Sequence, residues 1–199
     1  MAKESVIGVI FIYPPSIVLQ MPTVEPVSRS QTIRYSGLFD FDGLYAAVID
    51  WCKLQGYMWH EKTYKHKIPS PRGAEQELEW EMTKNITNYL SHKITISIHS
   101  WDHTEVEVDV DGKKKSLTNA RIYFILNGTS TRDWQGIFSG SKFIQKLQGW
   151  YNNVVYKKEF ESIYNDQFHY RQLALHAIIK KYFDLQAKKY VYKGYLGEN

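Results

Sequence analysis

Residues 93–98 read Lys-Ile-Thr-Ile-Ser-Ile, and residues 105–112 read Glu-Val-Glu-Val-Asp-Val-Asp-Gly. Successive side chains of a strand point to opposite faces. Each stretch therefore carries one apolar face (Ile94, Ile96, Ile98; Val106, Val108, Val110) and one wet face. Asp111-Gly112 supplies the positive φ that a tight hairpin needs. Arg121–Asn127 continues the pattern, with Ile122, Phe124 and Leu126 on one side. Upstream, Leu78, Trp80 and Met82 alternate with Glu77, Glu79 and Glu81, and Tyr57–Lys65 also reads as a strand. A period of two with one solvated side describes an antiparallel sheet. The fold class is α+β: an antiparallel, curved sheet of about five strands, with one N-terminal helix and two C-terminal helices.

The helices are read from caps and stripes. Asp40 or Asp42 can accept the orphan amides of a helix start, Leu44, Val48, Trp51 and Cys52 recur at helical spacing, and Gly56 is a natural stop. This predicts a helix over about 43–55. Residues 140–189 read as helical, with Ser139 or Ser141 at the start and a stripe of Phe143, Ile144, Leu147, Tyr151, Val154 and Val155. A second stretch runs from Phe160 to Phe183, and an unbroken helix over 157–187 would be roughly 45 Å long. Residues 1–37 hold four of the six prolines, which predicts an extended N-terminal arm. The organisation expected is an arm at 1–37, a single α+β domain at 38–189 and a tail at 190–199.

The composition sets bounds. The chain has 199 residues, 43% hydrophobic and 15% aromatic, with 25 Lys plus Arg against 21 Asp plus Glu. A net charge of +4 is far from that of a protein that coats nucleic acid. The single cysteine, Cys52, excludes an intramolecular disulfide and any multi-cysteine metal site. No apolar run is long enough to span a bilayer as a helix. Val6–Tyr13 is interrupted by Pro14-Pro15 without a cleavage pattern, which argues against a secretory signal. A cytoplasmic or virion location is expected.

No chemistry stands out. On a strand, His99 and His103 would lie about 13 Å apart, too far for one ion. His169 and His176 are two helical turns apart. Cys52 sits on an apolar stripe and reads as a core residue. Glu77, Glu79 and Glu81 read as a solvated strand face paired with lysines such as Lys62 across strands. Asp102, Asp133 and Asp40 carry no pattern that favours convergence. No phosphate loop is present, and Gly136–Gly140 before a helix reads as a turn. Asp133-Trp134-Gln135-Gly136 reads as a tryptophan closing an edge of the core rather than lining a pocket. No catalytic, cofactor-binding or metal-binding residue is assigned.

The run Leu38-Phe39-Asp40-Phe41-Asp42-Gly43-Leu44-Tyr45, with Trp51, Tyr57, His60–Lys65, Asp133–Gly136 and Leu175–Leu185, resembles small proteins from archaeal, viral and metagenomic sequences that have no assigned activity. The resemblance covers about 38–187 and implies no catalytic residue. The function expected is therefore non-enzymatic: a structural or assembly protein, such as a virion component, that joins itself or other subunits through its arm and tail. The contacts expected are Val6, Ile10, Ile12, Ile17 and Leu19 in the arm and Tyr190 and Tyr192 in the tail. Their apolar surface and backbone donors need partners, and strand addition to a neighbour's sheet provides both. Two alternatives remain open. One is a small-molecule-binding domain with an aromatic pocket. The other is a nucleic-acid accessory protein using Lys113–Lys115 and the helix lysines, although Glu159, Glu161, Asp166 and Asp184 break that basic face.

Overall fold

The structure, a computed structural model, describes residues 22–27, 29–70, 73–110, 113–138 and 142–183. Six strands form one open sheet: β1 (Thr23–Pro26), β2 (Gln31–Phe39), β3 (Met58–Ser70), β4 (Gly73–Asn85), β5 (Leu90–Val110) and β6 (Lys113–Arg132). β3, β4, β5 and β6 form a meander of neighbouring antiparallel strands. β1 and β2 both pair antiparallel with β6, along successive parts of the same edge. They follow one another along that edge. Residues 23–26 and 31–37 of the segment expected as an arm thus lie on the sheet of their own chain.

The alternation read from the sequence sorts the two faces. Leu78, Trp80, Met82, Ile94, Ile96, Ile98, Ile122, Phe124 and Leu126 are buried on the inner face. Two helices cover it. α1 (Phe41–Gln55) brings Leu44, Val48, Trp51 and Cys52 into the core. Asp40 accepts a hydrogen bond from the Gly43 amide (2.9 Å) at its start. At its end Gly56 adopts φ 70, where a Cβ would be strained. The other cover is α4 (Asp166–Tyr182), which contributes Phe168, Leu175 and Ile179. β6 meets it at Gly128, where a Cβ would come within 3.0 Å of the Phe168 ring. The bare glycine lets helix and strand approach.

The C-terminal region differs from a continuous 3.6-residue winding. α2 (Lys142–Trp150) runs into a π-helical segment (Tyr151–Tyr156), then α3 (Lys157–Glu159), a second π-helical segment (Phe160–Asn165) and α4. The π turns rotate the apolar positions, so Tyr156 and Phe160 turn inward. They join Tyr89 and Leu90 in a second, smaller core. Among the described residues no helix is long and apolar enough to cross a membrane. The Asp111-Gly112 turn and the Ser139 and Ser141 caps lie outside the described residues, although Val110 pairs with Lys113 as a tight hairpin requires.

Candidate association surface

The outer face of the sheet has no helix over it among the described residues. Strand register places Lys65, Glu77, His99, Tyr123 and Arg34 side by side in one row across five strands. The β3–β4 half of this face is a charge ladder. Lys62 pairs with Glu79 (3.0 Å), Lys65 with Glu77 (3.4 Å), Lys67 with both Glu75 (3.1 Å) and Glu77 (3.0 Å), and Lys93 with Glu81 (3.2 Å). The cross-strand lysine pairing expected from the alternation is present. These pairs are substantially exposed, and each contributes little to stability.

The β5–β6–β2 half is aromatic and cationic. His99 stacks on Trp101 with ring centroids 3.9 Å apart, and its Nε2 lies 2.6 Å from Glu75. The Arg34 guanidinium lies 4.9 Å from the Tyr123 ring centroid, a cation–π contact. Arg121 pairs with Asp102 at 2.6 Å. Arg34, Ser36, Trp101, Arg121 and Tyr123 line a groove of about 630 Å³ beside β2. Glu75, Glu77 and His99 could converge on an ion, their ligand atoms lying within 4.8 Å of one another. The Lys67 ammonium already bridges the two carboxylates, and Lys65 supplies a second positive charge to Glu77. His99 meets Trp101, its same-face neighbour two residues along β5, and Glu75, which the register of β4 against β5 brings to it.

The two edges of the sheet differ. β3, at one edge, carries Glu61, Lys62, Lys65, His66 and Lys67 and has register shifts between Glu61 and Thr63 and between Lys67 and Ser70. Charges and bulges are how an edge is kept from pairing with another chain. β2, at the other edge, reads Gln-Thr-Ile-Arg-Tyr-Ser-Gly-Leu-Phe, with Arg34 its one charged side chain. No strand lies beyond it among the described residues. Near its end the Tyr35 hydroxyl donates to the Leu38 carbonyl (2.9 Å), and near its start His176 of α4 hydrogen-bonds the Thr32 backbone, so the stretch open to pairing lies between Thr32 and Leu38. Leu38 itself is exposed.

The other residues singled out in the sequence have structural roles. Cys52 is fully buried, and burial pushes its thiol up to about 12, which removes the thiolate that nucleophilic chemistry needs. Asp40, Asp102 and Asp133 each have separate partners. Burial raises Asp40, but the Lys115 ammonium (2.5 Å) and the Gly43 amide outweigh it and leave the carboxyl below its ordinary value. Asp133, at φ 54, accepts from the Ile137 amide (2.6 Å), the Phe138 amide (3.1 Å) and the Gln148 side chain (3.2 Å). The Trp134 indole donates to the Thr87 carbonyl (2.9 Å), so the Asp-Trp-Gln-Gly motif closes the end of the sheet. Asp133→Ala would strand these donors. We expect a loss of about 2 kcal/mol in urea unfolding, whereas Asp133→Asn should lose less because its amide oxygen still accepts. Val6, Ile10, Ile12, Ile17, Leu19, Tyr190 and Tyr192 lie outside the described residues.

No protein-family model matches the chain, and no curated protein is significantly similar to it.

Proposed function

We propose that the protein is a non-enzymatic structural subunit that assembles by accepting a strand on the outer edge of β2, as a virion or other large-complex component acting in the cytoplasm or the virion. The supporting observation is the inequality of the two edges: β3 is guarded by charge and bulges, while β2 is nearly uncharged. A strand added to β2 extends a sheet that already hydrogen-bonds in that direction. Its alternate side chains would fall beside the groove of Arg34, Trp101 and Tyr123, which gives the pairing specificity. The donor we favour is the apolar stretch containing Val6, Ile10, Ile12, Ile17 and Leu19 of another copy, with Tyr190 and Tyr192 as further contacts.

Size-exclusion chromatography with light scattering tests this. The full chain should be multimeric. Removing residues 1–21, which spares β1 and β2, should leave a folded monomer, and Ile10→Asp with Ile12→Asp should weaken assembly. Ser36→Lys, an exposed change on the accepting edge, should do the same. A full-length monomer at high concentration would refute the proposal. The groove itself favours a second reading, a site for a small aromatic anion between Trp101, Tyr123, Arg34 and Arg121. That reading is preferred if such a compound binds a monomeric chain and Arg34→Ala abolishes the binding.

A further inference from the structure

The segment from α2 into the first π-helical turn is apolar on both sides. Its inward side mixes aromatic with polar groups: Tyr151 and Tyr156 pack in the second core. Gln148 is buried and donates to Asp133 (3.2 Å), and Asn152 accepts from the Tyr89 hydroxyl (2.6 Å). Its outward side is apolar: Phe143 is 75% exposed, Leu147 43%, Trp150 55% and Val154 63%. Spacings of four, three and four residues place these side chains in one stripe along the segment. An exposed contiguous stripe of this kind marks a surface that is covered in use.

The charges within the segment are basic: residues 134–158 contain Lys142, Lys146, Lys157 and Lys158 and no Asp or Glu, and the carboxylates of Glu159 and Glu161 follow only past its C-terminal end. Lys146, Lys157 and Lys158 are exposed, and none has an ion-pair partner among the described residues. This selects among occupants. A second copy docked face to face through the same stripe would set these lysines against their equivalents. Residues 1–21 of this chain offer one carboxylate, Glu4, beside Lys3. An anionic lipid surface answers both features at once. Aromatic and aliphatic side chains enter the headgroup boundary, and the flanking ammonium groups meet the phosphate layer. The geometry points to residues 142–158 as an interfacial anchor that lays this protein on anionic membranes without spanning them.

The test is co-sedimentation of the full chain with phosphatidylcholine vesicles, with and without phosphatidylserine. Binding should require phosphatidylserine and weaken as salt rises. Lys146→Gln with Lys157→Gln and Lys158→Gln should lower the partition coefficient by about a hundredfold. Phe143→Ser with Trp150→Ser should also release the protein from anionic vesicles. The lysine variant alters only exposed side chains, so it keeps the test decisive if the aromatic variant fails to fold. Absence of vesicle binding, binding that ignores phosphatidylserine, or binding unchanged in the lysine variant would each overturn the inference. If Phe143→Ser with Trp150→Ser abolishes self-association while vesicles are never bound, the stripe is a protein interface instead.

Discussion

Trp80→Ala is expected to lower the unfolding free energy by about 4 kcal/mol, the range for emptying a fully buried tryptophan site. Trp80 lies in the middle of β4 with no exposed surface and pairs across strands with Glu61 and Ile96. Its indole meets Trp59 (5.2 Å between centroids), Tyr45 (5.3 Å) and Phe41 (6.4 Å). Two of these, Tyr45 and Phe41, are on α1, so Trp80 fastens that helix to the sheet. A truncation there leaves a void walled by strand backbone on one side, which relaxes poorly. For a chain of this size the change corresponds to roughly a 10 °C fall in Tm. Trp80→Phe should cost less than half as much, because the ring contacts largely remain. The indole N–H it removes has no hydrogen-bond partner among the described residues. Thermal and urea unfolding of both variants checks this; equal losses for Ala and Phe would show that packing is not what Trp80 supplies.

The second large effect is on pH dependence. His92 is buried on β5, its ring stacked on Phe168 at 4.3 Å, and neither ring nitrogen has a hydrogen-bond partner among the described residues. Burial, with the positive charges of Arg171 and Lys84 nearby, lowers it from 6.5 to about 4. Below pH 6.5 the unfolded chain takes up a proton that the folded chain refuses. Stability therefore falls as pH drops from 6.5 to about 4, by about 3 kcal/mol from this group, and the contribution is constant outside that window. His103 and His176, also held below their ordinary values chiefly by burial, act in the same direction. His92→Leu keeps the apolar stack and removes the titration. Its stability should decline less steeply between pH 6.5 and 4.5 than that of the unchanged protein. Parallel curves in urea titrations across that range would refute the assignment.

The meander was legible because its strands carry one wet and one dry face over many residues. Glu77, Glu79 and Glu81 against Leu78, Trp80 and Met82 admit one reading, and the structure places them so. α1 was legible from Asp40 and Gly56, whose capping chemistry is local. The pairing of β2 was not, because its partners are remote in sequence: Gln31 meets Leu126 and Phe39 meets Thr118. Its inward face also offers few fully buried side chains, Ile33 and Phe39, which is too sparse a pattern to count. The π-helical segments escaped detection for another reason. A 3.6-residue template fits Tyr151–Asn165 tolerably, and only the burial of Tyr156 and Phe160 shows the wider winding. The row from Lys65 to Arg34 depends on the alignment of five strands, and residue spacing along one strand carries no trace of it.

The placement of β1 and β2 on β6 also bears on how the chain is made. Every pairing within the meander can close as soon as the next strand emerges from the ribosome. The N-terminal strand leaves first, yet its berth appears only after about 90 further residues, a delay on the order of ten seconds at ordinary elongation rates. Throughout that interval a nascent chain presents an orphan strand, and its neighbours on the same message present theirs. Until β6 arrives, the backbone donors and acceptors of β2 have no sheet partner within their own chain, so the last strand made is the one that completes the sheet.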